Sequence, residues 1–131
     1  MGPRLLFVCV ENAGRSQIAE AVAKGMGYEA KSAGTMPARR VNETVVEVMK
    51  EIGMDISKNT PQLLTDEMIN WADVTVTMGC SVEEVCPAPV LAKMHKKLIE
   101  WNIVDPAGKP IDEVRAIRDE VKRRLETMKL Q

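Results

Sequence analysis

Hydrophobic positions along the chain follow two spacings, one typical of buried strands and one typical of amphipathic helices. Short apolar runs, one of them alternating with threonine, predict strands over residues 4–10, 29–33, 74–78 and 97–103. Apolar positions three and four residues apart predict helices over residues 16–26, 43–52, 66–71 and 111–128, with Asn42 and Thr65 as N-caps. Because strands alternate with helices, the pattern predicts the α/β class: an open four-stranded parallel sheet flanked by helices on both faces.

Composition narrows the class of protein. The chain has no repeat, linker or low-complexity tract, so we expect a single domain spanning residues 1–131. Its net charge of −1 gives no basic surface for a nucleic-acid partner. The apolar run over residues 5–10 is too short for a membrane span and lacks the layout of a signal peptide. We therefore expect a cytoplasmic protein, a monomer, with neither nucleic-acid nor membrane partners.

The segment after the first predicted strand carries the strongest chemical signal. A loop between a strand and a helix N-terminus turns several backbone N–H groups toward one point, where the helix dipole adds positive charge. Gly14 allows close approach of the backbone, and Arg15 supplies a planar fork for two oxygens of a tetrahedral anion. Cys9 stands at the mouth of this electropositive loop, where a thiolate nucleophile is favoured. We assign oxyanion binding to the whole loop: Cys9, Val10, Glu11, Asn12, Ala13, Gly14, Arg15 and Ser16.

Two further thiols follow the third predicted strand. Cys80 comes directly after that strand and Cys86 follows six residues later. They can be brought together only if the short segment between them rearranges, because a disulfide requires Cα atoms within about 7 Å. Buried structural thiols and a zinc site with His95 are alternatives, although the spacing fits no common zinc finger and we expect no metal.

The residues 7–21, FVCVENAGRSQIAEA, resemble the phosphate-binding loop of the low-molecular-weight protein tyrosine phosphatases. They are more similar still to the thioredoxin-coupled arsenate reductases built on that fold. One departure is Gly14, where the usual phosphatase loop has a cysteine. The similarity runs nearly end to end, through Ser32-Ala33-Gly34, Trp101, Asp105-Pro106-Ala107-Gly108-Lys109 and Arg118-Asp119-Glu120.

The resemblance implies an arsenate reductase that needs no cofactor. It implies that Cys9 attacks arsenate, that Arg15 binds it and that Asp105 protonates the departing oxygen. It further implies that Cys80 and Cys86 relay a disulfide, which thioredoxin or a similar dithiol protein reduces. Phosphate and sulfate would be competing oxyanions. In the best-known members six residues separate the relay cysteines, whereas five separate them here.

Two other functions remain open. The first is a tyrosine phosphatase that uses only Cys9, Arg15 and Asp105, although aromatic residues are scarce at 3% of the chain. Weak phosphatase activity is also expected as a side reaction of a reductase with the same anion loop. The second is a non-catalytic anion-binding or phosphocarrier module. From local sequence alone, Asp105 also fits a plain Asp-Pro turn.

The resemblance carries one implication about metals. Several arsenate reductases of this kind bind potassium beside the loop through residues that match Asn12, Glu20 and Ser32, together with an aspartate. The position that we align with the aspartate is Gln62 in this chain. An amide oxygen holds a cation less strongly than a carboxylate does. We therefore predict little stimulation by potassium.

Overall fold

The secondary structure alternates between strands and helices in a computed structural model that describes residues 3–78 and 98–128. The strands are β1 (Leu5–Cys9), β2 (Ala30–Gly34), β3 (Val74–Met78) and β4 (Leu98–Trp101). The helices are α1 (Arg15–Gly25), α2 (Glu43–Lys50), α3 (Asp66–Trp71) and α4 (Ile111–Thr127). Predicted elements and observed ones agree in type and order and differ at their ends by a residue or two, where helices and strands fray.

The four described strands form one parallel sheet in the order β2-β1-β3-β4. The central strand is β1, in which Leu5 lies opposite both Ala30 of β2 and Val74 of β3. Successive side chains of a strand point to opposite faces, and both faces of β1 are buried. Such two-sided burial explains why β1 is a continuous apolar run.

Each face of the sheet has its own apolar core. On one face, Phe7 and alternate β1 residues pack with apolar side chains of α1, α2 and α4. On the other face, Leu6 and Val8 pack with Ile69 and Ala72 at α3. The predicted class, a parallel sheet covered by helices on both faces, is confirmed. Among the described residues, no helix is long and apolar enough to cross a membrane.

Local capping fixes where the shorter helices begin. The Asn42 side chain accepts hydrogen bonds from the backbone N–H groups of Thr44 and Val45 at 2.8 and 3.4 Å. Thr65 accepts one from Met68 N–H at 3.2 Å. Both caps satisfy donors that the first helical turn leaves without an intrahelical partner, as the sequence predicted.

A charged cluster fastens α4 to the end of α2. The Arg118 guanidinium donates to the Val48 carbonyl and to Glu51 Oε1, both at 2.8 Å. Arg115 donates to the same carboxylate, with its closest approach at 2.8 Å. Hydrogen bonding from Arg115, assisted by Arg118, holds the pKa of Glu51 below its ordinary value of 4.5. This cluster fixes α2, which forms one wall of the cleft described next.

Candidate active site

A cleft of about 400 Å³ opens at the carboxyl end of β1. Cys9 is the last residue of that strand, and α1 begins six residues later at Arg15. The switch from strand to helix therefore places the loop where ligands bind in open α/β sheets. The cleft is lined by the loop, by the segment before α2 and by the segment after β4: Cys9, Val10, Glu11, Ala13, Gly14, Arg15, Ala38, Arg40, Val41, Asn42, Glu43, Asp105, Pro106 and Ala107.

A chain of three hydrogen bonds ends on the sulfur of Cys9, which is a free and buried thiol. The backbone N–H of Gln62 donates to Asn12 Oδ1 at 2.9 Å, which fixes the orientation of the Asn12 amide. Asn12 Nδ2 then donates to Ser16 Oγ at 2.7 Å. Ser16 Oγ also lies 2.8 Å from Cys9 Sγ, and it is the donor in this contact whenever Cys9 is ionised, because a thiolate can only accept.

Asn12 is the residue about which the loop turns. It is fully buried and adopts a left-handed conformation with φ of 52°, which asparagine tolerates better than most residues. Its backbone N–H points back to Cys9 Sγ at 3.2 Å. Gln17 donates to both the backbone carbonyl and the side-chain oxygen of Asn12 at 3.1 Å. The role of Gln17 was not predicted, although it belongs to the Arg-Ser-Gln motif on which the resemblance rests.

The carbonyl groups of the loop are bound to the chain that follows β2. Met36 N–H donates to the Val10 carbonyl at 2.8 Å, and Ala38 N–H donates to the Glu11 carbonyl at 3.0 Å. Because a trans peptide unit is planar, the N–H that follows each carbonyl points the opposite way, away from that segment. The loop thus keeps its acceptors away from an anion and directs its donors inward.

Gly34, at the end of β2, makes this close packing of the loop feasible. A Cβ atom there would lie 2.5 Å from the Val10 carbonyl oxygen and 2.9 Å from the Asn12 nitrogen. Backbone atoms cannot give way as a flexible side chain does, so only glycine fits. Gly34 directly follows the second predicted strand. Its contact with the loop could not be predicted from the sequence, because the two segments are distant in the chain.

Arg15 and Asp105 meet across the cleft. The Arg15 side chain is only 8% exposed, and its Nη2 lies 3.8 Å from Asp105 Oδ2. Nη1 of Arg15 donates to the Ile103 carbonyl at 3.1 Å. Asp105 itself is 59% exposed, and its Oδ1 accepts a hydrogen bond from Ala107 N–H at 3.0 Å. The structure thus brings Cys9, Arg15 and Asp105 around one cleft.

The remaining predicted site residues fall into two groups, one buried in the loop and one outside the described residues. Asn12 and Ser16 were assigned to the oxyanion loop, but their side chains are fully buried beneath the sulfur. Cys80 and Cys86 lie outside the described residues, as does His95, so the thiol relay and its zinc alternative stay predictions. Three further residues that line the cleft carry no motif and were not predicted: Arg40 and Glu43, which are exposed, and Val41, which is buried.

The residues that match a potassium site are already bound to one another. Glu20 Oε1 accepts a hydrogen bond from Ser32 Oγ, while Glu20 Oε2 accepts one from Lys24 Nζ at 2.7 Å. Asn12 Oδ1 accepts the two N–H bonds from Gln62 and Gln17 described above. The Lys24 ammonium thus supplies positive charge beside Glu20. This donor set does not fit a resident potassium ion.

The fold and the loop together define a protein in which a buried cysteine thiol on a strand-to-helix loop lines one cleft together with Arg15 and Asp105. The chain belongs to the low molecular weight phosphotyrosine protein phosphatase family, whose model matches residues 4–131. An arsenate reductase 2 of Staphylococcus haemolyticus is 37% identical over 130 residues, which cover 95% of each chain. The arsenate reductase of Brevibacillus brevis is 37% identical over 92% of this chain and 90% of its own. The resemblance inferred from the loop motif is confirmed.

Solved structures of related proteins share the fold. An arsenate reductase in its phosphate-binding state has a TM-score of 0.82 and 31% identity, covering 95% of this chain and 94% of its own. A thioredoxin-dependent arsenate reductase of Corynebacterium glutamicum has a TM-score of 0.72 and 34% identity, covering 96% of this chain and 61% of its own. The YwlE arginine phosphatase of Geobacillus stearothermophilus has a TM-score of 0.81 and 27% identity, covering 97% of this chain and 98% of its own.

Proposed function

We propose that this protein is an arsenate reductase in which Cys9 is the nucleophile. The observation that carries the proposal is the position of the Cys9 sulfur, at the base of a cleft whose wall holds Arg15 and Asp105 3.8 Å apart. Relatives covering nearly the whole chain bear the name arsenate reductase. Arsenate has the tetrahedral shape and negative charge that the loop N–H groups and the Arg15 fork complement.

In the first step the Cys9 thiolate attacks arsenic and an arsenic–oxygen bond breaks. The hydrogen bond from Ser16 Oγ and the Asn12 N–H stabilise the sulfur anion before attack. Asp105 donates a proton to the departing oxygen, which leaves as water, so no hydroxide is released into the cleft. Arg15 neutralises the charge of the bound oxyanion. The product is a Cys9 thioester of arsenate, with arsenic still in the +5 state.

Arsenic is reduced in the second step, when a second thiolate attacks the Cys9 sulfur and both sulfurs are oxidised to a disulfide. The Cys80 thiolate attacks Cys9 Sγ, the sulfur–arsenic bond breaks and its electron pair remains on arsenic, which leaves as arsenite in the +3 state. Cys86 then attacks Cys80, which releases the Cys9 thiolate and forms the Cys80–Cys86 disulfide. An external dithiol protein supplies two electrons and two protons to reopen that disulfide. We infer thioredoxin as this partner, by analogy with the Corynebacterium relative.

The sheet order supports a relay from Cys9 to Cys80. Strand β3 lies beside β1 and runs parallel to it, with Thr77 opposite Val8, so the carboxyl ends of the two strands lie side by side. Cys80 follows Met78, the last residue of β3, by two positions. Two extended residues span at most about 7 Å. The chain therefore leaves β3 within reach of the cleft that holds Cys9.

The remaining properties complete the proposal. We infer a single-domain, monomeric protein in the cytoplasm, where thioredoxin-type reductants keep thiols reduced. Phosphate and sulfate compete with arsenate because they have the same shape. The family name and the cleft also support weak phosphate-ester hydrolysis, since Cys9, Arg15 and Asp105 suffice for it. Among the described residues, no aromatic side chain lines the cleft, which disfavours phosphotyrosine as the main substrate.

Mapping disulfides after a single round with arsenate tests the reductase. Anaerobic, prereduced wild-type protein should form one Cys80–Cys86 disulfide per molecule with arsenate and none with phosphate. Replacing Cys86 by serine should trap a Cys9–Cys80 disulfide, because the next thiolate in the relay is missing. Cys9→Ser should form no disulfide and should lose aryl phosphate hydrolysis as well. If arsenate oxidises none of the thiols, the reductase proposal fails and the phosphatase function replaces it.

A further inference from the structure

The loop and the acid-bearing turn touch at a residue that has no side chain. A Cβ atom built on Gly14 would lie 2.6 Å from Pro106 Cγ and 3.3 Å from Pro106 Cδ. A separation of 2.6 Å is far below van der Waals contact, so any larger residue at position 14 must push Pro106 away. The proline ring thus packs directly on the anion loop. The contact joins the residue before Arg15 to the residue after Asp105.

The backbone of Pro106 is coupled to that of Asp105. Its ring locks its own φ and restricts the backbone of the residue before it, which is Asp105. The turn is tied further by the Ala107 N–H bond to Asp105 Oδ1 at 3.0 Å and by the Lys109 N–H bond to the Pro106 carbonyl at 3.1 Å. Displacement of the ring therefore moves the Asp105 carboxylate with it.

A second contact between this segment and the loop is made by the end of a long side chain. Arg15 reaches the Ile103 carbonyl and Asp105 through the end of a flexible side chain. An incoming oxyanion competes for the same guanidinium, so the Arg15–Asp105 pair cannot by itself hold the acid in place during the reaction. The Gly14–Pro106 contact is made by backbone and ring atoms and does not depend on the anion.

We propose that Gly14 is a positioning residue. Because it lacks a side chain, Pro106 can pack against the loop, and this contact fixes the position of Asp105 over the oxyanion. This rests on the proposed role of Asp105 as the acid.

Gly14→Ala tests this in the phosphatase side reaction. We expect a fall of at least about tenfold in the rate with alkyl phosphates, whose poor leaving groups need a proton. Phosphates of strongly acidic phenols, which leave as anions, should lose far less. Inhibition by phosphate should stay within about twofold, because the anion cradle is kept. Gly25→Ala is the control, since a Cβ there meets only the flexible Met54 side chain, and both rates should persist.

Pro106→Ala separates the contact from any damage to the loop itself. Removing the ring atoms deletes the clash, so Gly14→Ala should cost at least about fivefold less in the Pro106→Ala background than in the wild type. Absence of this rescue, or an equal loss for every leaving group, overturns the proposal. Asp105→Asn in the same series tells the two proposals apart. Should Asp105→Asn show the leaving-group dependence and Gly14→Ala lack it, only the positioning role of Gly14 is refuted.

Discussion

The guanidinium of Arg15 lies 3.8 Å from the carboxylate of Asp105, although 89 residues lie between them in the chain. The same guanidinium donates to the Ile103 carbonyl at 3.1 Å and so connects the anion loop to the segment after β4. The proposed anion-binding residue, Arg15, thus contacts the proposed acid, Asp105, directly. We expect substitutions on either side of the pair to separate binding from chemistry.

The first prediction concerns the acid. Asp105→Asn should lower the turnover of arsenate by about two to four orders of magnitude, since an amide of nearly the same shape cannot donate the proton. Affinity for phosphate as a competitive inhibitor should change by less than about threefold, because Arg15 and the loop remain. Single-turnover rates and inhibition constants measure the two effects. A collapse of binding with an intact rate would show that Asp105 is structural.

The second prediction concerns the hydrogen-bond chain that ends on Cys9. Ser16→Ala removes the hydroxyl 2.8 Å from the sulfur, and the loss of a donor to a charged acceptor costs about 1.5–3 kcal/mol. The rate of Cys9 alkylation by iodoacetamide near neutral pH should therefore fall by about one to two orders of magnitude. The assay uses the Cys80→Ser, Cys86→Ser background, so that Cys9 is the thiol observed. Ser16→Thr keeps the hydroxyl and serves as the control; equal loss in both variants would refute this role for Ser16.

The third prediction concerns potassium. Because Lys24 and Ser32 already engage both oxygens of Glu20, replacing sodium by potassium at constant ionic strength should change neither activity nor melting temperature by a measurable amount. Thermal melts and steady-state rates in the two salts measure it. Stabilisation of several degrees by potassium over sodium would show that a cation binds despite Lys24.

The fourth prediction concerns the cluster that fastens α4 to α2. The pKa of Glu51 is lowered in the folded state, chiefly by Arg115, so its ionised form stabilises the fold above its ordinary pKa of 4.5. Glu51→Gln should therefore lower the melting temperature at pH 7. The difference from wild type should shrink as the pH falls below 4.5, because wild-type Glu51 then becomes protonated in the folded state too.

Glu47→Gln is the matched control, since Glu47 is an exposed glutamate on the same helix. Its effect on the melting temperature should be small at both pH values, as is usual for surface substitutions. A Glu51→Gln penalty that is the same at pH 7 and pH 3 would mean that packing of the side chain, rather than its charge, fastens the helices.

Local signals in the sequence predicted the elements and the candidate nucleophile. Apolar runs and helical spacings depend on neighbours a few residues apart, so they predicted the strands and helices to within a residue or two. Asn42 and Thr65 were recognisable as caps because a cap bonds to N–H groups within its own first turn. The anion loop was predictable for the same reason, since Cys9 and Arg15 belong to one contiguous strand–loop–helix unit.

Tertiary structure decided what surrounds the loop. The N–H of Gln62 that orients Asn12, the Gly34 backbone beneath the loop and the Pro106 ring on Gly14 all come from distant parts of the chain. Their meeting depends on the parallel strands in the order β2-β1-β3-β4, because the chain after β2 and the chain after β4 both leave the sheet at its carboxyl end. No local periodicity encodes that order, because it follows from how the whole chain buries both faces of the sheet. The sequence thus predicted Cys9 as the nucleophile, and the fold determined which residues hold Cys9 in place.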